Sequence, residues 1–123
     1  VMAGSFAADI SGFLTRTGMK TEQVCRAVKI SLFNSVIMGT RVDTGRLRGN
    51  WQTTTGAPNM STTDRLDPSG QLASAEVRAN VRGFSVDYMT NNLPYAEVYE
   101  EKDGMVARNM ARITRILEEA NRG

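Results

Sequence analysis

Near the carboxyl end of the chain, Val106, Met110, Ile113, Leu117 and Ala120 recur at steps of four, three, four and three residues. That spacing fits a helix of 3.6 residues per turn and draws one apolar stripe along it. At about 100° per residue, Arg108, Arg112, Arg115, Glu119 and Arg122 fall on the opposite side. The core is therefore expected to form around a long helix buried along one face and basic along the other. A second pattern lies upstream. Val24, Cys25, Val28, Leu32 and Val36 line one face of a segment that Thr21 can cap and Gly39 ends, with Glu22 and Gln23 in its first turn. The other face starts with Arg26 and Lys29 and turns apolar at Ile30, Phe33 and Ile37, which predicts a second half covered on two sides. The cover is either the chain's own first helix or a neighbouring subunit. That first helix is predicted from Phe6, Ile10, Phe13 and Leu14, about three turns ended by Thr17-Gly18.

Between the two long helices the pattern changes. Residues 41–49, RVDTGRLRG, read as a turn-rich connector, and Trp51 to Thr55 as a threonine-rich strand. Gly56 to Thr63 is a polar loop. Asp67-Pro68 supplies an N-cap acceptor followed by a proline suited to the first helical position, so a helix is expected from there to about Asn80. Gly83 breaks the chain, Phe84 to Thr90 alternates as a strand, and Pro94 opens a short turn of helix from Tyr95 to Glu100. Helices and short strands that do not alternate as βαβ units predict an α+β fold. The expected form is one small antiparallel sheet packed against two or three longer helices, in a single domain over residues 1–123.

Composition narrows function more than fold. A chain of 123 residues supports one core. It contains no histidine, the commonest general base and metal ligand, so Ser-His and Cys-His nucleophile pairs cannot form within it. No pair of acids sits among apolar neighbours that would raise a pKa, so no catalytic residue, enzyme activity or cofactor is expected. The single cysteine, Cys25, reads as a small buried hydrophobe. No apolar run reaches the roughly 18 residues that a membrane span needs, and the first residues lack the pattern of a signal peptide. The expectation is a chain made and kept in a cytoplasm, away from membranes. Net charge is only +2 but unevenly placed. Residues 1–50 carry seven basic and three acidic side chains, residues 51–103 four and eight, and the last twenty four and two. Such polarity suits head-to-tail contacts between copies, although a solvated mixed surface gives the same composition. Arginine outnumbers lysine twelve to three, and its planar fork favours interface ion pairs and phosphates.

Two segments stand out as contact surfaces. In VDTGRLRGNW, Asp43 and Thr44 can hold a turn, Gly45 and Gly49 permit tight backbone paths, Arg46 and Arg48 flank Leu47, and Trp51 offers a large anchor. Arginine with tryptophan is the pairing that interface centres favour, and the two arginines read as partner contacts whose reversal leaves the monomer folded. Trp51 in the chain's own core is the competing reading. In NNLPYAEVYEE, Tyr95 and Tyr99 share a helix face and suit a core or an interface equally. The acidic run Glu97, Glu100, Glu101 and Asp103 lacks the alternating ligands of a calcium loop, so no metal site is expected. Arg108, Arg112 and Arg115 set three guanidinium groups on one line, which suits nonspecific contact with DNA phosphates, a neighbour's acidic segment, or plain solvent.

In order and separation these segments resemble the tail-component family of long-tailed bacteriophages, variously called neck, tail-completion or minor tail proteins. Its typical members run an apolar helix into Pro-Val-Asp-Thr-Gly, then arginine- and asparagine-rich residues and a tryptophan. Here that stretch is IMGTRVDTGRLRGNW, with Arg41 where proline is usual. NNLPYAEVYEE is similar to the family's later Pro-Tyr-Ala motif, Gly104-Met105-Val106 to the opening of its last helix, and SFAADISGFLTRTG to its first helix. One departure is the abrupt EEKDGMV, where relatives run through a longer glycine- and serine-containing loop. The resemblance implies a structural virion protein, assembled in the host cytoplasm. It would form a homo-oligomeric ring around the DNA channel, joining the head-side connector or stopper to the tail terminator or tube. On that reading Asp43, Thr44, Gly45, Arg46, Arg48, Trp51, Tyr95 and Tyr99 face a neighbouring subunit or ring, and the arginine row faces the lumen or a neighbour. The rival is a small nucleic-acid-binding or regulatory module that uses the arginine helix.

Overall fold

A computed structural model describes residue 18 and residues 20–122. The apolar segment from Phe6 to Leu14 lies outside them, as do the side chains at 117 and 119–122. The described elements are α1 (Thr21–Gly39), α2 (Arg46–Gly49), β1 (Gln52–Thr55), α3 (Gln71–Asn80), β2 (Asp87–Thr90), α4 (Ala96–Asp103) and α5 (Met105–Arg122). The two strands pair antiparallel, with Gln52 opposite Thr90 and Thr55 opposite Asp87, and helices pack against them. The expected α+β fold is the one observed. No helix among the described residues is long and apolar enough to cross a membrane.

The central element is α1. Its core residues Val36 and Ile37 are fully buried, with α5 on one side and α3 on the other. Among the described residues, then, both covers of its apolar second half come from the chain itself. Its start differs from expectation by one residue. Lys20, in extended conformation, is the N-cap, and its backbone N–H donates to Gln23 Oε1 at 3.4 Å. Thr21 is already helical. At the far end Thr40 is buried, its Oγ1 donating to the Val36 carbonyl. Cys25 is half-buried and free.

The turn before α3 is tighter than proline at a first helical position would give. Gly70 stands in the left-handed region at φ 75°, and the helix proper begins at Gln71. A Cβ at Gly70 would meet Ile37 Cγ2 and Met38 Sδ at about 3 Å, so the turn is pressed onto the end of α1. Asp67 still caps, at longer range, because its carboxylate accepts the backbone N–H of Ala73 at 2.9 Å. From α3, Glu76 accepts the Thr53 N–H and Asn80 Nδ2 donates to the Thr53 carbonyl. These side chains close the outer edge of β1.

Two segments are shorter or rotated relative to the sequence pattern. The strand expected from Phe84 is regular only over Asp87–Thr90. Ahead of it, the Lys29 ammonium gathers the carbonyls of Arg82 and Ser85, which removes them from any ladder and leaves Phe84 and Val86 exposed. In α5 the buried face runs through Met105, Asn109 and Ile113, with Val106 half-buried and Met110 exposed. The helix is thus turned by roughly 60° from its apolar stripe, toward the flank that carries Arg108 and Arg112. Gly39 permits this approach, since a side chain there would press on Asn109 Nδ2 and Arg108 Nη2.

Candidate functional site

The segment from Thr40 to Trp51 leaves α1, turns at Asp43–Gly45, makes one turn of α2 and enters β1. Gly45 makes the turn possible. Its φ of 89° is left-handed, and a Cβ there would meet Pro68 N at 2.6 Å. Its carbonyl accepts the N–H groups of Gly49 and Asp67, so the connector and the loop before α3 are bound back to back. Gly49 lies equally close to the Arg65 backbone.

Much of this connector faces inward. Trp51 is 6% exposed and donates from Nε1 to Thr40 Oγ1 at 2.8 Å, continuing the chain of bonds that ends α1. Asn50 is fully buried: it donates to the carbonyls of Arg46 and Thr63 and accepts the Thr63 N–H. Arg48 donates to the carbonyls of Pro68, Met38 and Thr40 at 2.6, 3.0 and 2.9 Å. The expectation that reversing Arg48 leaves the monomer folded is therefore corrected, because its guanidinium holds the exit of α1 to the turn before α3. Arg46 differs. It is half-buried, and its side chain makes no hydrogen bond among the described residues.

The outward side of the connector meets the second segment that the sequence singled out. Arg41, Asp43, Thr44, Leu47, Tyr95 and Tyr99 line a partly open cavity of about 170 Å³. The tyrosine rings stand edge to face, with centroids 5.8 Å apart. Arg41 lies over the Tyr99 ring at 4.4 Å and makes a two-pronged ion pair with Asp103, Nε and Nη2 donating at 2.7 and 2.6 Å. These bonds hold the Asp103 carboxyl below the usual carboxylate range, against a weaker upward push from burial. Asp103 can reach Arg41 because α4 stops abruptly. Gly104, at φ 61°, sends its N–H to the Glu100 carbonyl and α5 begins at the next residue.

Asp43, Thr44, Tyr95 and Tyr99, all expected at a contact surface, line one cavity. Asp103 and Arg41 are not among the expected contacts. Their signal was opposite charge at distant positions, which pairing in space alone makes readable. Of the acidic run, Glu100 accepts the backbone N–H groups of Val106 and Ala107 at the start of α5, and Asp103 is taken by Arg41. Among the described residues no three His, Cys, Asp or Glu side chains gather to hold a metal ion.

The arginine row on α5 is divided in its surroundings. Arg112 donates to Ser35 Oγ, and Arg108 Nη2 lies 3.5 Å from the Gly39 carbonyl, so both lean across α1. Arg115 is exposed, and its side chain makes no hydrogen bond among the described residues. The chain matches no protein-family model, no curated protein and no solved structure.

Proposed function

We propose that this chain is a structural protein of a tailed bacteriophage, a subunit that closes with copies of itself into a ring at the neck. The ring would join the head-side connector to the tail around the DNA channel. One observation carries the reading. The turn at Asp43–Thr44 and the tyrosines at 95 and 99, about fifty residues apart, wall a single outward-opening cavity. Arg41 and the segment before Gly104, where the chain differs from the pattern it resembles, touch each other through Asp103. The lack of histidine and the uneven charge suit a protein that works through its surfaces.

The test uses Tyr95→Ala, which lines this cavity, and Arg46→Glu, next to the turn that walls it; neither side chain holds a backbone carbonyl. Each variant should fold as a monomer and yet fail to complete particles, with heads and tails accumulating unjoined in electron micrographs. Normal yields of infectious particles from both would refute the reading. The nucleic-acid alternative rests on the arginine row of α5, two of whose members are engaged with α1.

A further inference from the structure

We propose that the groove between α1 and α3 receives the exposed face of α4 from a second copy of this chain. The inference rests on the self-assembly reading above and names the two surfaces that would meet. The groove encloses about 550 Å³ and is lined in part by Asn34, Met38, Leu72, Ser74 and Arg78. Its rim is apolar and open: Met38 and Leu72 are 49% and 53% exposed. Beneath it, out of contact with solvent, Asn34 Oδ1 and Ser74 Oγ have no hydrogen-bond partner among the described residues. One cation, Arg78, lines it, and no acidic residue does.

The exposed face of α4 has the matching chemistry. Glu97, Val98, Glu101 and Lys102 fall at i, i+1, i+4 and i+5, on one side of the helix, and all four are exposed. None makes an ion pair among the described residues. Val98 would lie on Met38 and Leu72, with the two carboxylates toward Arg78. A phosphate backbone would satisfy Arg78 but leave the apolar rim unmatched, which favours protein over nucleic acid. Groove and face share no residue, so the contact is head to tail and can propagate from copy to copy until it closes.

The experiment measures the mass of the purified full chain in solution, by native mass spectrometry and light scattering over a dilution series. The unsubstituted chain should associate. Arg78→Glu alone, and Glu97→Arg with Glu101→Arg, should each weaken association by about tenfold or more. Combining all three substitutions exchanges the charges and should restore it. Should Arg78→Glu fail to fold by circular dichroism, Arg78→Gln with Leu72→Ser tests the same contact at two exposed positions. Association unchanged in every variant would overturn this groove as the interface while leaving self-assembly standing. A wild-type chain that stays monomeric throughout would overturn both. Loss of salt-dependent binding to duplex DNA in Arg78→Glu, with no change of mass, would give the groove to phosphate and overturn the proposal.

Discussion

At the scale of single residues, the connector after α1 shows how two side chains of one type come to different uses. Arg46 and Arg48 stand two apart, and nothing in their sequence neighbourhood distinguishes them. The turn at Gly45 directs Arg48 toward the carbonyls of Met38, Thr40 and Pro68, and backbone carbonyls leave no trace in a sequence. Arg48→Glu should cost about 3 kcal/mol or more, because three acceptors lose a charged donor and a carboxylate takes its place. Arg46→Glu should stay within about 0.5 kcal/mol of the wild type, and urea denaturation of both variants checks the contrast. Glycine offers a second matched pair. Gly45 and Gly56 have nearly the same left-handed φ, 89° and 88°, but only Gly45 has atoms where a Cβ would go. Gly56→Ala should cost about 1 kcal/mol for backbone strain alone. Gly45→Ala should cost clearly more, since Pro68 must also move, and a difference in melting temperature between the two isolates that packing contribution.

At the scale of elements, most helices and both strands were legible, and their limits and faces less so. Proline at 94, the threonine run after Trp51 and the spacing along α1 and α5 each gave an element of the right type in the right place. The rotation of α5 was hidden for a specific reason. Asn109 is buried, yet its Nδ2 donates to the Met105 carbonyl one turn back, so a polar residue occupies a core position at no cost in unpaired groups. A count of apolar residues cannot find such a position. The strand β2 was over-extended because Lys29, nearly sixty residues earlier, claims the carbonyls ahead of it. The same ammonium pairs with Asp87 at 2.9 Å, whose side chain is 1% exposed. Burial pushes the Asp87 carboxyl up, but bonds from Thr55, Lys29 and Ser85 outweigh it and hold it below the ordinary carboxylate range. Its contribution to stability is therefore complete at neutral pH and is lost as pH falls from about 3.9, the unfolded value, through the lower folded one. Asp87→Asn should be less stable by about 2–3 kcal/mol at pH 7, and in acid unfolding curves the gap should begin to narrow below about pH 4 and close only at lower pH.

At the scale of the molecule, the convergence of two distant segments on one cavity is the feature that the sequence only half announced. Motif order singled out Asp43, Thr44, Tyr95 and Tyr99, but it took the fold to bring them together and to add Arg41, Leu47 and Asp103. The uneven charge has a checkable consequence at this scale. If copies join through opposite surfaces, raising salt from about 50 mM to 500 mM should shift the solution mass downward, because screening shortens the reach of surface charge from about 14 Å to about 4 Å. A multimeric mass that does not change with salt would leave apolar contact alone to hold the copies together. The brace between Arg41 and Asp103 bears on timing. Its two bonds and the tyrosine beneath it fix one wall of the cavity within a single copy of the chain. A visiting side chain would find an aperture already shaped, so docking should be governed by encounter and orientation, with little delay for rearrangement.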